Sequence, residues 1–427
     1  MGGECVYAIE VNKSAARVYQ HNWGIDPLGD IEDDANDDGV RVPDHDVLAA
    51  GFPCQPFSKS GAQRGMEETR GTLYWNILRI IQTRHPSIVI LENVRNLTGP
   101  KHRHEWQIII ETLREEGYRV SDTPSIFSPH LLPPSMGGRP QVRERVFITA
   151  TYDPEGIANE LEVGPITELR PVSDWDPHTW DLESDLPLQQ DHRVLGCELA
   201  DSERLWINAW SDFVKLMLKE RDGRRLPGFP LWADEWVRKE ELVIPNGTPK
   251  WKEDFLRKNA EFYSAHSSII DAWAEKWGVY TIDFPASRRK FEWQAQDAQR
   301  LWECVMHFRP SGIRVKKPTY LPALVAITQT SIIGSRERRL SPREAARLQG
   351  LPDWFEFPDQ SSATTYRQLG NGVSIGAAWY VLKSHAFRDE EVLKRTAPEL
   401  LSAIQNSPTN PDEVLRSRKM SSRTSHA

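Results

Sequence analysis

The first 150 residues alternate between short apolar runs and amphipathic segments, and this alternation restricts the fold more than any other feature. Ser87-Ile-Val-Ile-Leu91 is continuously apolar, which is typical of a strand buried on both faces of a parallel sheet. Residues 72–84 carry apolar side chains at helical spacing. Similar patterns predict, in chain order, a strand at 5–9, a helix at 13–22, a strand at 46–50, a helix at 106–116 and a strand at 145–149. We therefore predict an α/β fold with an open, mostly parallel sheet and right-handed crossovers.

Two reactive side chains lie just past the ends of predicted strands. Cys54 follows the strand at 46–50, between two prolines that keep it out of a helix, and Glu92 follows the apolar run. Ligands of open α/β sheets bind outside the carboxyl ends of the strands, so this placement indicates a functional site. A buried carboxyl is costly unless it is paired or used, and burial raises its pKa. The alternatives are a structural thiol for Cys54 and a helix cap or salt bridge for Glu92.

Composition excludes several classes of protein. No apolar run approaches the roughly 20 residues that a membrane helix needs. The N-terminus also lacks the features of a signal peptide, so we expect a cytoplasmic protein. The four cysteines are far apart in the sequence, which argues against a disulfide framework and against a metal site.

Charge is unevenly distributed along the chain. The net charge of −8 argues mildly against a nucleic-acid partner, but residues 308–350 contain nine Lys or Arg and only two Glu. Such a segment suits a phosphate backbone, although charge alone favours an ordinary solvated surface. Residues 151–300 have weak periodicity and many tryptophans, which we interpret as the filling of an irregular core rather than as stacking platforms for bases.

Further segments carry candidate binding groups. Gln141-Val-Arg-Glu-Arg145 places a glutamine and two arginines on one face of an extended segment, which suits a phosphate or a base edge, or else a solvated strand edge. Pro342 lies in the first turn of a predicted helix, after Ser341 as its cap. Gly370 and Gly372 allow close backbone approach to a ligand, or form an ordinary tight turn.

In this order the segments resemble the cytosine-5 DNA methyltransferase family, over residues 1–150 and about 336–385. The Pro-Cys-Gln, Glu-Asn-Val, Gln-x-Arg-x-Arg and Gly-Asn-x-Val elements are all present. The resemblance implies a Rossmann-like, S-adenosylmethionine-dependent core and a smaller, irregular target-recognition domain. The implied domains are the catalytic core at 1–150, a variable insertion and target-recognition region at 151–335, a return to the core at 336–395, and a tail at 396–427 that we expect to be disordered.

The resemblance also implies a reaction. Cys54 adds to carbon 6 of a cytosine that is rotated out of the duplex, which activates carbon 5 toward the methyl group. Glu92 hydrogen-bonds the exocyclic amine and shares a proton with ring nitrogen 3. Arg145, together with Arg143, contacts the base or its backbone. The implied S-adenosylmethionine contacts are Glu10, Asp30, Ile31, Pro53, Asn371 and Val373. The implied DNA contacts are Ser58 and Gln63, in the loop that closes over the base, and Arg288, Arg289, Arg309, Lys316 and Lys317.

The chain departs from the family pattern at its beginning. Family members open with a strand and a Phe-x-Gly-x-Gly loop that holds the methionine carboxylate, and neither precedes Glu4. We expect the true start to lie upstream of Met1; a fragment that needs a partner and an inactive chain are the alternatives.

The leading function is a DNA (cytosine-5-)-methyltransferase of a restriction–modification system. We expect it to act on double-stranded DNA as a monomer, with a cognate endonuclease encoded nearby. One alternative is a catalytically incompetent DNA-binding or partner subunit. The other is an RNA cytosine-5 methyltransferase, which the long variable segment disfavours.

Overall fold

The computed structural model describes residues 1–53, 72–156, 163–166, 172, 174–189, 193–324 and 330–416. The α-helices in these residues are α1 (Lys13–Trp23), α2 (Ile31–Asp34), α3 (Leu73–Arg84), α4 (Arg103–Glu115), α5 (Leu182–Asp185), α6 (Asp201–Glu220), α7 (Lys250–Trp277), α8 (Pro342–Leu348), α9 (Ser362–Asn371), α10 (Ile375–Arg388), α11 (Glu390–Thr396) and α12 (Pro398–Gln405). None of them is both long and apolar enough to cross a membrane.

The strands in the same residues are short. They are β1 (Ala35–Asn36), β2 (Gly39–Val40), β3 (Val47–Gly51), β4 (Ile88–Val94), β5 (Tyr118–Val120), β6 (Ser125–Phe127), β7 (Gln141–Val142), β8 (Arg145–Tyr152), β9 (Leu231–Trp232), β10 (Lys290–Gln294), β11 (Val305–Arg309), β12 (Gly312–Lys316), β13 (Leu321–Pro322), β14 (Ile332–Ile333) and β15 (Arg338–Arg339). The chain divides into two compact units. Unit 1 comprises Met1–His178, Pro322–Ala326 and Ala346–Ala427, and unit 2 comprises Thr179–Leu321 and Ile327–Ala345.

The main sheet of unit 1 has the strand order β3-β4-β8-β5, and β6 also pairs with β8. β3 and β4 are parallel, whereas β8 is antiparallel to β4, β5 and β6. Consequently β3, β4, β5 and β6 all run in one direction and β8 alone runs against them. The predicted α/β fold with a mostly parallel sheet is therefore confirmed. The alternation of strands and helices did not predict that β8 would insert between β4 and β5.

Two helices of unit 1 form the core with this sheet. The hydroxyl of Thr72 caps α3 by accepting from the backbone N–H of Trp75 at 3.3 Å. Leu78 and Ile81 of α3 and Ile109 of α4 are completely buried with the apolar side chains of β4 and β8. Each such side chain contributes about 1.5–3 kcal/mol through its removal from water. The predicted helices at 72–84 and 106–116 correspond to α3 and α4.

The start of the chain differs from the prediction of a strand at 5–9. The described residues there form only one isolated parallel bridge, between Glu10 and Leu28. A β-prone run becomes a strand only where a neighbouring strand satisfies its backbone groups, and local sequence does not specify that neighbour.

The tail also differs from expectation over its first part. Residues 396–416 are described, and α12 buries Leu401 and Ile404 on its apolar side. Asp412 then forms an ion pair with Arg139 at 2.7 Å. Burial of Leu401 and Ile404 supplies the stabilisation that a disordered tail lacks. Residues 417–427 lie outside the described part of the chain.

Unit 2 is more regular than its sequence indicates. It contains a six-stranded sheet in the order β15-β14-β11-β12-β10-β9 and the long helices α6 and α7. Trp210 of α6, Trp273 of α7 and Phe291 of β10 are at most 1% exposed, and the rings of Trp210 and Phe291 stack with centroids 4.4 Å apart. The interpretation of the tryptophans as core residues is confirmed at these positions. Buried Ile207, Trp210, Phe213, Val214 and Met217 have helical spacing, which the interspersed charges obscured.

Candidate active site

The first cluster of predicted site residues lies at the carboxyl end of β4. Glu92 is the register partner of Gly51, the last residue of β3, and a Cβ on Gly51 would lie 3.5 Å from Oε2 of Glu92. Asn93 donates from Nδ2 to the carbonyl oxygen of Phe52 at 2.8 Å. Cys54, two residues beyond Phe52, lies outside the described residues, as do Ser58 and Gln63. The parallel strand ends thus bring the segment leading into Cys54 beside Glu92.

Glu92 forms an ion pair within this cluster. Nε of Arg145 lies 2.9 Å from Oε1 of Glu92, and the two side chains are 15% and 17% exposed. Burial raises the pKa of Glu92 above its ordinary value, while the guanidinium groups of Arg145 and Arg143 oppose that rise. A carboxyl group balanced in this way can either accept a proton or hold one, which is what proton exchange with a heterocyclic ring requires.

The Gln-x-Arg-x-Arg segment directs three side chains away from bulk solvent. Gln141 and Arg143 are at most 1% exposed. Between the arginines, Glu144 is exposed and accepts from Arg95 at 2.6 Å. The arginines differ in their partners: Arg145 binds Glu92, whereas the guanidinium of Arg143 binds backbone carbonyl oxygens.

Sequence reasoning missed the roles of two polar residues here. Asn93 is 4% exposed and ties the end of β4 to the end of β3. Ser128 is 1% exposed, and its hydroxyl accepts from the backbone N–H of Arg143 at 2.8 Å. The amide side chain of Asn93, directly after Glu92 in the sequence, could have indicated the contact with Phe52. The contact between Ser128 and Arg143 joins residues 15 positions apart, and no local pattern predicts it.

A second cluster contains predicted cofactor contacts. The parallel bridge between Glu10 and Leu28, together with a hydrogen bond from Gly29 N–H to the Glu10 carbonyl at 3.3 Å, brings the segment before Asp30 to Glu10. Asp30 caps α2 through its side chain, and Ile31 is the half-buried first residue of that helix. The carboxyl groups of Glu10 and Asp30 therefore lie at the ends of two neighbouring parallel segments.

The cofactor contacts predicted near the C-terminus connect to the same region. Gln368 in α9 donates from Nε2 to the hydroxyl of Ser14 in the first turn of α1 at 3.2 Å. Asn371 ends α9 with its side chain exposed, and Val373 lies in the turn that follows. Pro53 is exposed just after β3.

These residues fit S-adenosylmethionine. Oε1 of Glu10 accepts from the backbone N–H of Asn12 at 2.7 Å, which orients the carboxylate, and Oε2 can accept from the hydroxyls of a ribose. The Asn371 amide, exposed at a helix end, can hydrogen-bond the polar groups of the methionine moiety.

The predicted DNA contacts of unit 2 divide into two groups. In the β11–β12 hairpin, Met306, Phe308, Ile313 and Val315 face the aromatic core, so Arg309, Arg314 and Lys316 share the opposite face with His307. Burial and the mutual repulsion of these cations lower the pKa of Lys316 and Arg309. Burial, followed by the same three cations, lowers the pKa of His307 to about 3. Glu292 is the acidic partner of Arg314 at 2.6 Å, and the excess of cations over this carboxylate favours the binding of an anion.

The other predicted DNA contacts have protein partners. Arg289 donates to the carbonyls of Val279 and Phe284 at 2.8 and 2.9 Å and pairs with Asp234 at 2.9 Å. Arg288 donates to the Arg309 carbonyl at 2.8 Å, and its guanidinium lies over the rings of Trp206 and Phe308. Lys317 lies 3.3 Å from Asp297.

Comparison with known proteins agrees with this geometry. A model of the family described as C-5 cytosine-specific DNA methylase matches residues 1–386. The type II methyltransferase M.AluI of Cellulosimicrobium cellulans is 50% identical, over 92% of this chain and 90% of that protein. M1.ScrFI of Lactococcus lactis subsp. cremoris is 38% identical over 87% of this chain and 69% of that protein. M.HhaI of Haemophilus parahaemolyticus is 27% identical over 89% and 86%.

The fold and site define an S-adenosylmethionine-dependent methyltransferase with an α/β core. The chain belongs to the C-5 cytosine-specific DNA methylase family. It is accordingly an enzyme that methylates carbon 5 of cytosine in DNA with S-adenosylmethionine as the methyl donor. The RNA and non-catalytic alternatives are not favoured.

Proposed function

We propose that Cys54, Glu92 and Arg145 form the catalytic group of this enzyme. The observation that carries the proposal is the Glu92–Arg145 pair beside the segment that leads into Cys54. In this arrangement the Cys54 thiolate adds to carbon 6 of the flipped cytosine, and the electron pair moves toward ring nitrogen 3. Glu92 shares its proton with that nitrogen and accepts from the exocyclic amine. Arg145 orients Glu92 and faces the base.

The cofactor site is assigned to the second cluster. S-adenosylmethionine supplies an electrophilic methyl group when it is bound. Glu10 accepts from the ribose hydroxyls, Asp30 and Ile31 border the adenine, and Asn371 and Val373 border the methionine end together with Pro53. The parallel bridge at Glu10 and the contact between α9 and α1 support this grouping. After methylation, removal of the carbon 5 proton lets the thiolate of Cys54 leave.

The DNA surface is assigned to the half-buried face of the β11–β12 hairpin that lies opposite the aromatic core. Arg309, Arg314 and Lys316 lie together there, with Glu292 as the acidic partner of Arg314 at 2.6 Å. Their mutual repulsion is relieved when phosphates bind. The protein contacts of Arg288 and Arg289 support a structural role for these two arginines. Ser58 and Gln63 remain proposed contacts of the loop over the flipped base.

The target region is assigned to residues 151–335, flanked by catalytic residues 1–150 and 336–395. The similarity to M.AluI, a type II methyltransferase, supports a role in a restriction–modification system with a cognate endonuclease. The enzyme then acts as a monomer in the cytoplasm, where the host DNA lies.

The decisive experiment substitutes Cys54. Cys54→Ala is expected to abolish methylation of duplex DNA while S-adenosylmethionine binding, measured by calorimetry, persists. Cys5→Ala is the matched control, because Cys5 is exposed and lies outside the cluster. Methylation that survives Cys54→Ala would disprove the proposed nucleophile. Cofactor binding that is absent in the unmodified chain would instead favour a non-catalytic protein.

A further inference from the structure

Arg143 is held in an unusual set of contacts. Its side chain donates to three backbone carbonyls: Gly370 at 2.6 Å, Gly372, and Leu324 at 3.1 Å. The residue is 1% exposed, and its backbone N–H donates to Ser128. The guanidinium thus spans two separate segments, one of which is Gly370–Gly372, where α9 ends and the turn to α10 begins.

We propose that Arg143 is a positioning residue that holds the Gly370–Gly372 turn in register with the Glu92–Arg145 pair. The inference rests on the proposed roles of that pair and of Asn371, the last residue of α9, which lies between the two glycines. Arg143 is two residues from Arg145 in an extended segment, so one short stretch of chain contacts both the base side and the cofactor side of the reaction.

The choice of arginine follows from the geometry of its partners. A guanidinium carries five N–H donors in a rigid fork, whereas a lysine ammonium is a compact group on a flexible stem. The fixed fork of an arginine therefore matches three carbonyls from two segments better than a lysine does. Carbonyl oxygens only partly offset the cost of burying a charge, and burial lowers the pKa of Arg143 to about 10. The group nevertheless remains a cation at neutral pH.

A neighbouring contact holds the other end of the same turn. Oε1 of Gln141 accepts from Nε2 of Gln349 at 3.0 Å, and the Gln349 carbonyl accepts from the N–H of Ile375 at 2.9 Å. Gln141 is therefore linked through Gln349 to Ile375, the first residue after the turn, while Arg143 binds the carbonyls on both sides of Asn371. Methyl transfer requires the donor and the attacking carbon to be aligned, and a misplacement of about 1 Å can reduce the rate about 100-fold.

The test separates cofactor positioning from chemistry at the base. Exchange of the cytosine carbon 5 hydrogen with solvent, without methyl donor, reports the addition of Cys54 alone. Arg143→Lys should raise the KM for S-adenosylmethionine at least about 10-fold, while exchange stays within about threefold of wild type. Arg143→Gln should give the same KM defect and also shift the pH limb of exchange assigned to Glu92 upward, because it removes a cation that lowers the pKa of Glu92.

A double-mutant cycle supplies the second arm. Arg143→Lys and Asn371→Ala should be non-additive in cofactor affinity, because both act through one turn, whereas Arg143→Lys and Glu92→Gln should be additive. Loss of exchange with unchanged cofactor KM would overturn the proposal and assign Arg143 to the base. Cofactor affinity unchanged in Arg143→Lys and in folded Arg143→Gln would also overturn it. Exchange that persists in Cys54→Ala would instead disprove the underlying proposed function.

Discussion

Arg145 and Glu92 pair diagonally across the antiparallel ladder of β4 and β8. Arg145 is the register partner of Val94, two residues beyond Glu92, and its Nε lies 2.9 Å from Oε1 of Glu92. Side chains two residues apart in a strand share a face of the sheet, which places the cation and the carboxyl together. The pair thus depends on the register between two strands that are distant in sequence.

Glu92→Gln should reduce the single-turnover rate of methylation by about 10²–10⁴, because the amide cannot exchange a proton with ring nitrogen 3. The KM for S-adenosylmethionine should change little. Glu144→Gln is the matched control, since Glu144 is exposed and pairs with Arg95. A Glu92→Gln enzyme with a wild-type single-turnover rate would exclude proton transfer by Glu92.

Arg309→Gln should weaken DNA binding and reduce the slope of log K against log salt by about 1, the effect of losing one phosphate contact. Arg289→Gln is the comparison. Because Arg289 is engaged with protein groups, its loss should lower stability and leave the salt slope unchanged. Fluorescence anisotropy at several salt concentrations measures both slopes, and the reverse pattern would move the DNA surface away from the hairpin.

Glu344→Gln should destabilise unit 2. Glu344 and Arg338 are both fully buried and 2.7 Å apart, so the change leaves a buried cation without its counter-charge. Breaking such a pair typically costs about 3–5 kcal/mol. In urea unfolding, the exposed pair of Arg300 and Glu303 provides the contrast, and Arg300→Ala should cost at most about 1 kcal/mol. Equal effects of the two substitutions would contradict the importance of burial.

His385 should make stability depend on pH. The Thr151 hydroxyl donates to Asp389 at 2.7 Å, so it must accept from Nε2 of His385 at 2.8 Å, and Nδ1 faces Arg388. This network requires a neutral imidazole, and burial lowers the pKa of His385 from 6.5 to about 3. The unfolded chain therefore binds a proton more readily, and stability falls as pH decreases from 6.5 toward 3.

His385→Gln removes this contribution, so its urea midpoint should depend less on pH between 7 and 4 than that of wild type. The expected difference is about 3 kcal/mol across that range. The Asp389 carboxylate, whose pKa the network lowers to about 2, stays ionised throughout it. Parallel pH profiles for wild type and His385→Gln would refute a neutral buried imidazole.

Local sequence was sufficient for several elements of unit 1 and for the chemical candidates. Apolar runs and helical spacing predicted β3, β4, α3 and α4 because burial imposes a period on the residues that it covers. Strand ends identified Glu92 as a candidate, since ligands bind at the carboxyl edge of such a sheet. The extended Gln-x-Arg-x-Arg segment predicted one shared face for Arg143 and Arg145.

Only the tertiary structure decided what these candidates contact. The sequence assigned Arg143 and Arg145 the same kind of role, but one binds carbonyls near residue 371 and the other binds Glu92. The basic residues of unit 2 were alike in sequence, but strand register places Arg309 on the cationic face of the hairpin, whereas Arg289 is engaged by backbone carbonyls and Asp234. The physical reason is that periodicity reports which face of an element is buried. The partner on that face is set by register and by packing between segments that are separated by tens to hundreds of residues.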